Sequence, residues 1–115
     1  MKHLKAFAKK GGVLVGLSAG ALIMSPTIRS AGEKDMYPDP NEVKLKNLRG
    51  LNLFPFEFSP HYDHVKKEMN AHLKYSKKTR YPVFAVKDGS GVIIRGKEVM
   101  THGKVFVFQR GKLLP

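Results

Sequence analysis

Gly16-Leu17-Ser18-Ala19-Gly20 places a serine hydroxyl between small residues at the −2 and +2 positions. Small neighbours let a serine stand on a tight strand-to-helix turn, and the N–H that follows it can join an oxyanion hole at a helix N-terminus. The chemistry is acyl transfer to an activated hydroxyl. Ser18 is the candidate nucleophile and the Ala19 N–H the candidate oxyanion donor. The flanks suit that reading: Val13-Leu-Val15 reads as a buried strand before the serine and Ala21-Leu-Ile-Met24 as a short buried helix after it. A purely structural glycine-serine turn would show the same letters.

A third reading takes residues 1–24 as a secretory signal peptide, because a basic opening precedes the apolar run Gly12 to Met24 and small residues follow. Ala19-Gly-Ala21 satisfies a cleavage site but lies inside the apolar run, and Gly12, Gly16 and Gly20 weaken that run as a helix. A mature chain starting near Ala31 would lose Ser18. The protein would then be a small basic exported protein without catalysis.

Composition narrows the chemistry further. With no cysteine, disulfides, thiolate catalysis and cysteine-based zinc sites are excluded, in agreement with a cytoplasmic protein. The histidines form no convincing zinc-ligand set, so neither a metal nor another cofactor is expected. Lysine and arginine outnumber the acids by 21 to 9, and the net charge of +12 raises a nucleic-acid or anionic-surface partner. Lys9-Lys10, Lys66-Lys67 and Lys77-Lys78, however, fall where helix surfaces and helix ends are expected, and no nucleic-acid motif accompanies them. The reading is solvated surface, with no nucleic-acid partner. No run reaches the roughly 18 apolar residues that crossing a bilayer needs, so no membrane partner is expected either.

The elements that must position Ser18 follow from periodicity. Residues 2–10 set Leu4, Phe7 and Ala8 on one face of a helix that Gly11-Gly12 stops. Residues 30–50 are loop-like, and Leu51-Asn-Leu-Phe54 is a short strand candidate. Val65, Met69, Leu73 and Tyr75 predict a helix over 64–77, with His64 and His72 on its surface. Strands are expected at Pro82–Val86, Val92–Ile94 and Val105–Phe108, with a turn at Asp88–Gly91. This alternation is an α/β fold: parallel core strands with helices on both faces and antiparallel C-terminal edge strands. At 115 residues the chain reads as a single domain that opens on a core strand preceded by a crossover helix.

"GGVLVGLSAGALIMSPTIR" followed by "LNLFPFEFSPHYD" resembles the peptidase E family of serine peptidases, the aspartyl dipeptidases of the class I glutamine amidotransferase-like fold. "VFAVKDGSGVIIRG" and "GKVFVFQRGK" resemble the family's acid-bearing segment and closing strands. The resemblance covers nearly all of the chain but only the second half of the family pattern, and it implies a partial three-layer sheet lacking the N-terminal βα units. It further implies a Ser-His-Asp triad of Ser18, His61 and Asp88, with the Ala19 N–H in the oxyanion hole. An acid in the following loop, Asp35 by its neighbour and Glu33 by spacing, belongs to the family pattern, and Arg29 would either bind an acidic substrate group or pair with a loop carboxylate. The implied substrate is a small peptide with an N-terminal aspartate. As it stands the chain would be a fragment or degenerate homologue with weak or no activity; a further reading is a non-catalytic partner that pairs with a separately encoded N-terminal half.

Overall fold

Val83–Val86 is a run of four apolar residues behind Pro82, and the remaining strands assemble around it. The computed structural model describes residues 2–33, Met36 and residues 39–115. Along the chain run α1 (Lys2–Lys9), α2 (Ala19–Leu22), a 3₁₀ turn (Arg29–Gly32), β1 (Glu57–Ser59), α3 (Lys66–Ser76), β2 (Val83–Val86), β3 (Gly91–Arg95), β4 (Glu98–His102), β5 (Val105–Gln109) and β6 (Lys112–Leu113). The main sheet has the order β1-β2-β5-β6, while β3 and β4 form a separate hairpin. β1 lies parallel to β2, with Glu57 opposite Val83 and Ser59 opposite Ala85. β5 joins the other side antiparallel, Val83 opposite Phe108 and Ala85 opposite Phe106.

This register sorts the side chains by face. Glu57, Ser59, Val83, Ala85, Phe106 and Phe108 point one way, because paired residues in a pleated sheet share a face. Against that face packs α3, and the core holds Met36, Tyr62, Tyr75, Val83, Ala85 and Phe108. On the opposite face Phe54, Phe56 and Phe84 stack ring on ring, with centroids 4.4 and 3.8 Å apart, and α2 packs against β1.

Two polar side chains of β1 are buried on the α3 face, and both are met by α3. The Tyr75 hydroxyl donates to Glu57 Oε1 at 2.6 Å, and Ser59 Oγ lies 2.8 Å from His72 Nε2. Positions 57 and 59 share a strand face while 72 and 75 are one helical turn apart, so the two bonds run side by side. Burial raises the pKa of Glu57 and of Tyr75 and lowers that of His72, since each loses the water that would stabilise its charge.

Three sequence expectations change. His72 is 2% exposed, not a surface residue, because β1 offers it a buried serine. Val13–Val15 is extended but pairs with no strand among the described residues, and Val13 and Val15 are 81% and 92% exposed. Leu51–Phe54 forms no strand because its N–H groups go elsewhere. Leu51 donates to the Ile23 carbonyl (2.7 Å), Asn52 to Ser25 (3.1 Å) and Leu53 to Met24 (2.9 Å), all carbonyls at the end of α2. The Cβ that any other residue would carry at Gly50 overlaps the Ser25 carbonyl, so only glycine permits this contact. The helix over 64–77 and the strands at 82–86, 92–94 and 105–108 form within a few residues of their expected ends.

The His72 bond makes stability depend on pH. Its Nδ1 lies 2.8 Å from the Glu68 carbonyl, an acceptor only, so Nδ1 carries the proton and Nε2 accepts from Ser59. The folded pKa lies below 6.5, so the unfolded chain binds a proton that the folded chain refuses. This contribution is complete above pH 6.5 and declines as pH falls below it, by at most about 1.4 kcal/mol per pH unit. Urea midpoints at pH 7.5 and 5.5 should therefore differ more in the wild type than in His72→Leu, which should itself be less stable at pH 7.5.

Candidate active site

Val13 to Leu17 runs extended into Ser18, where the chain reverses into α2. Ser18 has φ 54° and ψ −115°, a conformation that costs a non-glycine residue about 1–3 kcal/mol. Its carbonyl accepts from the N–H groups of Ala21 (3.1 Å) and Leu22 (3.0 Å), which holds the turn. The Ala19 N–H, first in α2, has no acceptor among the described residues. Gly16 is sterically required: a Cβ there would lie 2.7 Å from the Ala21 backbone. Gly20 is not, since a Cβ there meets nothing within 4 Å. The two glycines that look equivalent in the sequence therefore differ in kind.

His61 follows β1 through Pro60 and also carries a positive φ, 61°. The Tyr62 N–H donates to the carbonyl of Val86 at the end of β2 (3.0 Å), and the Tyr62 ring is 1% exposed among His64, His72, Phe106 and Phe108. That anchor sets the turn on which His61 sits. Burial raises the Tyr62 phenol to about 12, so it stays a neutral donor, to His64 Nδ1 at 2.7 Å. Asp88 lies two residues beyond β2, in a turn that Gly89 closes with φ 83°. The Lys87 N–H donates to the Lys104 carbonyl (3.1 Å) and the Ser90 N–H to the Lys87 carbonyl (3.0 Å), bracketing the aspartate.

Residues 43 and 27 positions apart thus form one hydrogen-bonded chain: Ser18 Oγ to His61 Nε2 at 2.8 Å, and His61 Nδ1 to Asp88 Oδ1 at 2.8 Å. An ionised Asp88 only accepts, which places the imidazole proton on Nδ1 and leaves Nε2 to accept from Ser18. The side chains of His61 and Asp88 are 33% and 75% exposed, so their ion pair orients the ring more than it stabilises the fold.

The other expected site residues lie elsewhere. Arg29 is exposed and lines a cavity with Thr27, Arg49 and Arg80, whose lining includes none of Ser18, His61 and Asp88. Glu33 pairs with Lys78 at 3.3 Å, and Asp35 lies outside the described residues. Among the described residues no three His, Cys, Asp or Glu side chains are grouped so as to hold a metal ion, and no helix is long and apolar enough to cross a membrane. Sequence reasoning missed the buried Ser59–His72 pair beside His61; alternation along β1 and the three-residue step from His72 to Tyr75 were the available signals.

Comparison with known proteins places this geometry. The model of peptidase family S51 matches residues 1–102, a span that takes in the apolar run read alternatively as a signal. A crystal structure of a candidate peptidase E from Listeria monocytogenes EGD-e matches with 30% identity and a TM-score of 0.62, covering 81% of this chain and 44% of that one. The chain therefore spans less than half the length of that relative. None of the curated proteins matches significantly.

Two pairs of substitutions separate strain from space. Ser18→Gly and Ser18→Ala both lose the hydroxyl, but the glycine variant should be the more stable by about 1 kcal/mol because it relaxes the positive φ. Gly16→Ala should cost about 1–3 kcal/mol through overlap with Ala21, whereas Gly20→Ala should be neutral or stabilising. Thermal melts of the four variants test both statements.

Proposed function

The chain belongs to peptidase family S51, and from that premise we propose that it is a serine-type peptidase that cleaves short peptides after an N-terminal aspartate. The observation that carries the mechanism is the continuous hydrogen-bonded chain Ser18–His61–Asp88. Ser18 Oγ attacks the carbonyl carbon of the aspartyl residue while His61 Nε2 takes the hydroxyl proton. Asp88 holds the ring with Nδ1 protonated and stabilises the imidazolium. The carbonyl oxygen becomes an oxyanion facing the Ala19 N–H, which has no acceptor among the described residues. His61 then returns its proton to the leaving amine as the C–N bond breaks, leaving an acyl-enzyme on Ser18. Water, deprotonated by the same nitrogen, releases aspartate and restores the serine.

The positive φ at both Ser18 and His61 supports the assignment, because such strain persists where a fixed geometry is used. An open edge beside the nucleophile supports a further part of it. Val13, Val15 and Leu17 are 81, 92 and 88% exposed along a segment that pairs with no strand among the described residues. The leading βα units of the fold dock on this edge, whether on the same polypeptide or on a separately encoded half, and supply the second oxyanion donor and the rest of the substrate pocket.

A fluorophosphonate probe, which needs an activated serine but little substrate pocket, should label the wild type at Ser18 and leave Ser18→Ala unlabelled. With an Asp-leading chromogenic substrate, Ser18→Ala should abolish turnover, and Asp88→Asn should lower it by about 10²–10⁴-fold through loss of the correct tautomer. Equal rates for wild type and Ser18→Ala would sink the nucleophile assignment.

A further inference from the structure

A concavity of the structure lies away from Ser18. It measures about 630 Å³, within the range of small-ligand pockets, and its lining includes Lys5, Arg29, Arg49, Lys78 and Arg80. Among the described residues no carboxylate lines it. Thr79 to Tyr81 immediately precede β2, and Gly50 and Asn52 precede β1, so the cavity lies at the N-terminal ends of the parallel pair. His61 and Asp88 lie at the C-terminal ends.

We propose that this cavity binds a small ligand carrying two or three linked phosphate groups. Like charges gathered in one concavity repel each other, and that repulsion is relieved when a polyanion enters. Neighbouring acids neutralise only part of the charge: Glu33 pairs with Lys78 at 3.3 Å, and the buried Glu57 carboxylate acts on Arg29. The arginines are held on a frame. Thr27 and Arg49 form an antiparallel bridge, flanked by bonds from the Ile28 N–H to the Leu48 carbonyl (2.8 Å) and from the Gly50 N–H to the Pro26 carbonyl (3.0 Å). Arg29 and Arg49 therefore project from adjoining backbone, and planar guanidinium groups match phosphate oxygens two at a time. A second concavity of about 340 Å³ shares Thr27, Arg29 and Arg49 and adds Lys46, so the cationic surface extends far enough for a chain of phosphates. Arg80 lies over the Tyr81 ring, 5.0 Å from its centroid, which leaves an aromatic and guanidinium platform beside the phosphate site for a base.

Calorimetry on the full chain in 150 mM salt, with inorganic triphosphate, ATP and orthophosphate as probes, tests this site independently of peptidase activity. Triphosphate should bind and raise the melting temperature, with orthophosphate at least tenfold weaker. Arg49→Gln and Arg80→Gln should each weaken triphosphate about tenfold, the effect of losing one charge-assisted hydrogen bond, while Arg95→Gln on the β3–β4 hairpin should change nothing. Tighter binding of ATP than of triphosphate, lost in Tyr81→Leu, would identify the ligand as a nucleotide; equal binding would identify the phosphate chain alone. The proposal is overturned if triphosphate does not bind, if Arg95→Gln weakens it as much as Arg49→Gln does, or if only long single-stranded RNA binds.

Discussion

The parallel pairing of two short strands, β1 and β2, decides where every chemically active group in this protein can be. Parallel strands send their following residues out at the same end, and so His61 after β1 and Asp88 after β2 emerge side by side. Ser18 reaches them from the turn that opens α2, whose packing against β1 sets its height along the strand. The same pairing brings the preceding segments together at the other end. There the cations of residues 29, 49, 78 and 80 converge although they are scattered in sequence. One hydrogen-bonded ladder thus separates the Ser18–His61–Asp88 chain from a cationic basin.

A ladder of three residue pairs is a weak foundation, and α3 reinforces it with polar contacts where an apolar core would be usual. Tyr75 on Glu57 and His72 on Ser59 tie the helix to alternate residues of β1. A buried carboxylate and a buried imidazole are costly when unpaired, so these bonds work mainly by penalising any other register. A one-residue slip of β1 would turn both polar groups to the wrong face, and His61, two residues beyond Ser59, would move with them. Among the described residues Glu57 Oε2 has no hydrogen-bond partner within ordinary distance, which agrees with burial raising its pKa.

Both residues that meet hold strained backbone, as do Lys44, Asn52, His64 and Arg110 elsewhere. Ser18 and His61 both hold positive φ, and each is fixed by its neighbours: Ser18 by the first bonds of α2 and by the closeness that Gly16 permits, His61 by the buried ring of Tyr62. The environment around them is unequal. Tyr62 is in the core, while the segment leading to Ser18 has open apolar side chains, so Ser18 is the less supported member of the pair. That asymmetry fits a chain that spans 44% of a related structure.

Much of this was legible in local pattern. The elbow around Ser18, the helix at 64–77, the strands at 82–86 and 105–108 and the glycine stop after α1 depend on residues within one turn or one strand, where periodicity and glycine placement act directly. The Ser18, His61 and Asp88 candidates were found because G-x-S-A-G-A, P-T-I-R and S-P-H-Y stand together in a recognisable order. Whether those side chains meet, that Gly16 is required while Gly20 is not, that His72 is a core residue, and that dispersed arginines line one basin were decided by tertiary structure alone. The Ser18–His61–Asp88 meeting, the His72 bond and the arginine basin depend on through-space distances between segments well separated in sequence, and the need for Gly16 on how closely the turn brings it to Ala21; strand pairing, helix docking and turn geometry set these distances, which no local spacing encodes.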